Sequence, residues 1–391
     1  MTRIAIVTVA RSDYGFYRPL LSRLAAEPQI EPLLIVAGMH LAPRFGNTVT
    51  EIEADGHAIA ARVEMTLDDD GPGSIARSMG LGLKGFAEAF ETLRPDAVMV
   101  FGDRYEMHAA ASAAVPFAIP VAHTNGGSLT MGAFDDSLRH SMTKLSHLHF
   151  VETELYKRRV IQMGEAPWRV QVTGSLSLDN LADFTPLTLD ELNRRFGLAL
   201  TPVAPPLLVT FHPVTLEYRN TETYMTALLA ALSESDFPVV FTYPNADTNG
   251  RVIIEMIEAY AAKRADTFCV PHFGVEGYHS LMAHAAAMVG NSSSGIMEAA
   301  SFRLPVVNIG TRQGGRLAPE NVLHTGYGKD AILAGIKTCT SAAFREGIAE
   351  LANPYGDGTA AEKMIAILKT TDFADLGLIE KAFHEPDLVS T

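Results

Sequence analysis

The sequence predicts two α/β domains, each a parallel sheet with crossover helices on both faces, and three observations carry that prediction. Short apolar runs rich in β-branched residues alternate with segments of helical spacing, and they do so in two separate series. The runs lack the period-two alternation of a half-exposed strand, as expected for strands buried on both faces. The alternation breaks once, between Gly174 and Pro206, where Asp-Phe-Thr-Pro and Thr-Pro-Val-Ala-Pro-Pro interrupt it. At 391 residues the chain is too long for one ordinary core and comfortable for two. Two Rossmann-like halves are therefore expected, and in such sheets ligands lie beyond the carboxyl ends of the strands.

The first series has expected strands at Ile4–Val9, Pro32–Ala37, Ala97–Phe101, Ile119–His123 and His149–Glu152. Helical spacing appears at Pro19–Ala26 and in the Ala-rich Met107–Val115. The connection holds a short expected helix at Leu189–Phe196. The second series runs strand Leu207–Phe211, helix Glu222–Ser233, strand Pro238–Thr242 and helix Gly250–Lys263. It continues with strand Thr267–Val270, helix His279–Ala286, strand Ala287–Gly290, helix Gly295–Phe302 and strand Pro305–Ile309.

Composition removes several classes. Hydrophobic residues make up 47% and charged residues 19%, a globular balance, and no apolar run is long enough for a transmembrane helix. The N-terminal apolar stretch is too short for a signal peptide and reads as a buried first strand, so a cytoplasmic protein is expected. A formal net charge of −14 argues against nucleic acid while leaving room for an anionic small ligand on local arginines and backbone N–H groups. The two cysteines, Cys269 and Cys339, have neither metal-ligand nor disulfide-framework spacing.

The strand ends carry the chemistry. Strand one leads into Arg11-Ser12-Asp13-Tyr14-Gly15, either an ordinary capped βα turn or a diphosphate contact through Arg11. After Phe101 come Gly102 and Asp103; Asp103 either caps the next helix or points into the cleft. Beyond His123 lies a dense polar segment containing Asn125, Gly126, Gly127, Ser128, Asp135, Asp136, Arg139, His140 and Lys144. So many ionisable groups near strand ends mark a functional loop more often than a structural one. His147 and His149 are assigned mainly structural roles. In the second series, His212 ends a strand. Tyr243–Gly250 reads as a turn whose polar groups serve the backbone.

The strongest local signal is Gly290-Asn291-Ser292-Ser293-Ser294-Gly295-Ile296-Met297-Glu298, which follows a strand and opens a helix. Small residues let backbone N–H groups approach a phosphate, yet the spacing matches neither a P-loop nor G-x-G-x-x-G. Glu298 is placed to bind ribose hydroxyls. Arg312, Gln313 and Arg316 follow the next strand, and the two arginines would neutralise a diphosphate.

Together these residues make the chain resemble the hydrolysing UDP-N-acetylglucosamine 2-epimerases of the sialic- and legionaminic-acid type. The resemblance spans nearly the whole chain. Its motifs include Arg11–Gly15, Ala37–Leu41 with Phe45–Thr48, and Gly102–Glu106. Gly132–His140, Lys144–Phe150, Gln162–Glu165 and His212–Thr215 extend it. Gly290–Glu298, Gly310–Gln313 and Glu320–Val322 complete it. It implies a GT-B-type pair of Rossmann-like domains with the active site in the interdomain cleft. The domains would span 1–180 on the sugar side and 181–365 on the nucleotide side, with 366–391 crossing back to the first. The implied reaction needs no cofactor and no metal. A base removes the C2 proton as UDP leaves C1, giving a 2-acetamidoglucal, and water adds to release the 2-epimeric free sugar. Expected catalytic residues are Asp103, Asp135, Asp136 and His212. Expected substrate contacts are Arg11, Asn125, Ser128, Arg139, His272, Ser292, Ser293, Ser294, Gly295, Glu298, Arg312, Gln313 and Arg316. The partner is a UDP- or GDP-linked amino sugar, and a homodimer is expected.

One departure stands out. The family usually has a Glu, or a His-Gly-Gly-Glu run, where this chain reads Asn125-Gly126-Gly127-Ser128. Asn and Ser hydrogen-bond but do not act as general bases near neutral pH. Three readings follow: a hydrolysing 2-epimerase; a nucleotide-sugar hydrolase with an altered outcome; and a non-catalytic nucleotide-sugar-binding protein.

Overall fold

The computed structural model describes residues 1–43, 46–67, 71–130, 134–182, 184–244 and 250–385. The expected turn chemistry at 245–249, and Phe45 of the family motif, lie outside the described residues. The chain divides into two compact units, Met1–Leu129 with Ala133–Ala182 and Tyr355–Thr391, and Asp183–Pro354 with Thr130–Gly132.

The first unit is built on β1 (Thr2–Thr8), β2 (Ile30–Ala37), β3 (Ile59–Val63), β4 (Ala97–Phe101), β5 (Val121–Thr124), β6 (Leu148–Val151) and β7 (Val170–Val172). All pair in parallel in the order β3-β2-β1-β4-β5-β6-β7. The chain runs outward from β1 in both directions, so the strand order reverses between β1 and β4, the geometry that opens a crevice at the strands' carboxyl ends. Ile4, Ile6, Val98 and Val100 are wholly buried, which accounts for runs without alternation.

One expected element of this unit shifts and others are new. The first helix begins at Arg11 and runs to Ala25, with Pro19 inside it, instead of starting at Pro19. Two strands, β3 and β7, have no counterpart in the sequence reading; both are sheet edges, and β7 is only three residues long. A 22-residue helix, Pro72–Leu93, is also new. Its glycines weaken any propensity argument, and two of them lie against neighbouring side chains. A Cβ on Gly82 would stand 2.5 Å from Met65 Cε, and one on Gly85 2.6 Å from Val63 Cγ1.

The second unit carries β8 (Leu207–Thr210), β9 (Val239–Thr242), β10 (Thr267–Val270), β11 (Ala287–Gly290), β12 (Val306–Ile309) and β13 (Val322–Thr325) in the order β10-β9-β8-β11-β12-β13, again all parallel. The reversal falls between β8 and β11. Strand β13 is a further element beyond those expected.

The return to the first unit starts at Tyr355, where the Ser175 N–H donates to the Tyr355 carbonyl at 2.7 Å. Residue 366, the expected start of the crossing, falls inside the helix Ala360–Thr370. Buried Asp179 accepts from the Ala360 and Ala361 N–H groups at that helix's start. Among the described residues no helix is long and apolar enough to cross a membrane.

Candidate functional site

In the first unit the strand ends β4 and β5 assemble one polar cluster. Strand β4 ends at Phe101, and Gly102 turns the chain at φ 70°, a conformation glycine adopts without Cβ strain. The next helix, Tyr105–Ala114, has Arg104 at its N-cap and no side-chain cap bond. Asp103 is thus not the N-cap residue. It pairs with Arg139, which projects from the helix Asp135–Leu145. The same guanidinium donates to the Ser128 carbonyl at 2.9 Å and lies 3.6 Å from Asp136 Oδ1. Arg139 is expected from the sequence to contact substrate; in the structure its side chain is only 3% exposed and bound to protein oxygens. It ties the β4 end, the β5 loop and the following helix into one piece.

The carboxylates of this cluster have different surroundings. Asp103 faces a guanidinium. Asp135 is pushed upward in pKa, first by burial and then by the charge of Asp103. Asp136 is 3.3 Å from His140 Nε2. Beneath them, buried His123 donates from Nε2 to the Gly102 carbonyl at 2.8 Å, and burial drives its pKa down to about 3, so it stays neutral.

The β5 loop is closely determined. Asn125 holds φ 64°, and the Gly127 Cα sits so near the Tyr156 carbonyl that a Cβ would approach it to 2.5 Å. Ser128 is buried, and Asn125 Oδ1 is a buried acceptor with no hydrogen-bond partner among the described residues. Non-glycine residues in the left-handed region concentrate where surroundings impose the strain, functional loops among them.

At the first βα turn, Asp13 rather than Arg11 does the structural work. Its carboxylate accepts from Thr8 Oγ1 and from the Val9 and Ala10 N–H groups at 2.7–2.9 Å. Burial raises its pKa to about 6 against those bonds. His40 links on through Thr8 Oγ1 and Thr48 Oγ1. Arg11 is largely exposed, 3.6 Å from Glu51.

In the second unit the ends of β8, β11 and β12 converge. Gly290 has φ 139°, and a Cβ there would stand 1.9 Å from the Thr210 carbonyl oxygen, so only glycine fits. That close approach lets Asn291 bridge to β8. Its Oδ1 accepts from the His212 N–H at 2.7 Å and its Nδ2 donates to the His212 carbonyl at 2.9 Å. His212 is buried, and burial followed by the Arg312 charge lowers its pKa to about 3. Ser292 caps the short helix Ser293–Met297 by accepting from the Ser294 N–H. Arg312 and Gln313 both donate to the Asn291 carbonyl, at 3.1 and 2.8 Å. The buried Gln313 Oε1 has no partner among the described residues. Arg316 rests against Met297 Sδ, and Glu298 closes the helix 3.3 Å from His279. Exposed His272 lies on the loop after β10. This is a small-residue turn flanked by two arginines, suited to a phosphate-bearing ligand. Among the described residues no group of three or more His, Cys, Asp or Glu side chains is placed to hold a metal ion.

Two features escape the sequence reading. Asn291 sits within the polar run, but its bidentate grip on His212 depends on register between strands 79 residues apart. The second is a buried charge cluster. Glu165 receives Lys144 at 2.6 Å, Lys381 at 3.0 Å and His149 at 3.0 Å, and Lys381 also donates to the Lys144 and Ser146 carbonyls. Lys144 and His149 belong to the motif segments, whereas nothing in the sequence points to Lys381.

The UDP-N-acetylglucosamine 2-epimerase family model matches residues 22–369. The UDP-N,N'-diacetylbacillosamine 2-epimerase (hydrolyzing) of Legionella pneumophila is 38% identical over 368 residues, covering 94% of this chain and 96% of that protein. The GDP/UDP-N,N'-diacetylbacillosamine 2-epimerase (hydrolyzing) of Campylobacter jejuni is 39% identical over 325 residues, 82% of this chain and 83% of that one. A UDP-GlcNAc 2-epimerase from Neisseria meningitidis, solved bound to UDP-GlcNAc, shares the fold with a TM-score of 0.80 at 19% identity, covering 95% of this chain and 100% of that one.

Proposed function

The chain belongs to the UDP-N-acetylglucosamine 2-epimerase family, and from this premise we infer that it hydrolyses a UDP-linked N-acetylated hexosamine with inversion at C2. The substrate class that best fits the relatives' names is a 2,4-diacetamido-2,4,6-trideoxyhexose carried on UDP or GDP. A base takes the C2 proton while the C1–O bond to the nucleoside diphosphate breaks, leaving a 2-acetamidoglucal. Water then adds to C1, a proton returns to C2 on the opposite face, and the free 2-epimeric sugar leaves. Asp103, Asp135 and Asp136 would supply the proton transfers. Ser292–Gly295, Arg312, Gln313 and Arg316 would hold the diphosphate, and Glu298 the ribose. The observation that carries this reading is the cluster in which Arg139 clamps Asp103 while Asp135 stands beside it, with burial favouring its protonated form.

Incubation with UDP-N-acetylglucosamine and with its 4-acetamido-4,6-dideoxy relative tests the reading. Release of UDP with a 2-epimeric free sugar, identified by NMR, is expected from at least one. No UDP from either would sink it.

A second reading, nucleotide-sugar hydrolysis without epimerisation, is favoured by one observation. The β5 loop offers Asn125 and buried Ser128 but no carboxylate. Reaction in deuterated water separates the two, because direct hydrolysis leaves protium at C2 while the elimination route incorporates deuterium there.

A further inference from the structure

We propose that His279 is a positioning residue for nucleotide recognition: it holds one oxygen of the Glu298 carboxylate so that the other is presented to a ribose hydroxyl of the bound nucleoside diphosphate. The proposal rests on the assignment of Glu298 to the ribose made above. His279 lies on the helix Gly274–His284, and its Nε2 is 3.3 Å from Glu298 Oε2. A carboxylate only accepts, so Nε2 carries the hydrogen and donates.

The ring is one of a three-ring cluster in which Phe184 and Phe302 also meet each other, at 6.3 Å. It meets Phe184 edge-on at 5.6 Å and 78°, and Phe302 at 5.9 Å and 37°. His279 is 4% exposed, and its Nδ1 is buried with no hydrogen-bond partner among the described residues. An apolar side chain would fill that slot without burying a bare ring nitrogen, which carries a desolvation cost. What the imidazole adds is its bond to Glu298.

Glu298 needs such a bond. Its backbone is fixed, with the N–H donating to the Ser294 carbonyl and the carbonyl accepting from Ser301 N–H, both at 2.9 Å. Its side chain, 15% exposed, makes no other hydrogen bond among the described residues. Tying Oε2 to a buried ring packed against two aromatics removes the torsional freedom that Oε1 would otherwise lose on meeting the ligand, the general route by which preorganisation raises affinity.

The test compares UDP with 2′,3′-dideoxy-UDP by calorimetry on the full chain. His279→Leu keeps the packing and removes the donor. It is expected to raise the UDP dissociation constant about tenfold, the loss of one hydrogen bond to a charged group, while binding of the dideoxy ligand changes little. His279→Asn, polar but too short to reach Oε2, should behave as the leucine variant, and His279→Gln, whose amide nitrogen reaches further, should restore most of the affinity. Equal weakening of both ligands, or no change in either, overturns the proposal. Glu298→Ala separates the two levels. If it leaves discrimination between the ligands intact, the ribose assignment fails and the His279 role with it. If it abolishes discrimination and the folded His279 variants do not, only the role of His279 falls.

Discussion

Replacing Asp103 by Asn changes one atom and removes one charge, and the structure allows both consequences to be sized. The Arg139 side chain is 3% exposed and that of Asp103 22%. Leaving one partner of a fully buried pair uncompensated costs about 3–5 kcal/mol. Here the Asp103 carboxylate is partly open, Asp136 Oδ1 remains 3.6 Å from the guanidinium and the Ser128 carbonyl at 2.9 Å, so a loss of roughly 1–2 kcal/mol is expected. For a chain of this size that lowers the melting temperature by only a few degrees. The chemical effect is larger. Loss of a general acid–base group costs about 10²–10⁴ in rate, equivalent to roughly 2.7–5.4 kcal/mol of barrier. Asp103→Asn should therefore stay folded, bind UDP nearly as the parent does, and lose at least about a hundredfold in C2 deuterium incorporation. Calorimetry with UDP and proton NMR in deuterated water measure the two. A folded variant with turnover within about tenfold of the parent would refute the reasoning and move the proton transfer to Asp135 or Asp136.

Asn125→Glu restores a carboxylate to the β5 loop at the price of a bulkier side chain at φ 64°; it should alter turnover or the ratio of epimerised to retained product, and identical kinetics would show that position 125 does not meet the sugar. Arg312→Ala should raise KM more than it lowers kcat, since a diphosphate contact is present in ground and transition states alike; a fall in kcat alone would place Arg312 in the chemistry. Burial would raise the pKa of Glu165, but the His149 hydrogen bond and the Lys144 and Lys381 ammonium groups hold it down at about 2. A carboxyl depressed on folding stabilises the protein above its unfolded value near 4.5, and that contribution is lost as pH falls towards 2. The urea midpoint should therefore drop across that window, with part of the drop absent in Glu165→Gln; an unchanged slope would detach this cluster from acid stability.

The sequence by itself determined that there are two alternating α/β series, the break between them, and the strand ends at which polar residues collect. Those features are local: runs such as Ala97–Phe101 and Ala287–Gly290 are strands because their own side chains are buried on both faces, and Gly290–Glu298 is visible as a small-residue turn in a single window. The resemblance likewise singled out Asp103, Asp135 and Asp136 as candidates. The contacts within the cluster needed the tertiary structure. That Arg139 is buried against Asp103 depends on two elements 36 residues apart, and that Lys381 reaches Glu165 depends on a contact across 216. The helix Pro72–Leu93 escapes the sequence reading, and its glycines lower helix propensity. Two of those glycines, Gly82 and Gly85, lie against the side chains of Met65 and Val63, which only the folded chain brings there. Periodicity records which face of an element is buried; it does not record what is buried against it, and charge pairing, close backbone approach and helix–strand packing are all set by that second quantity.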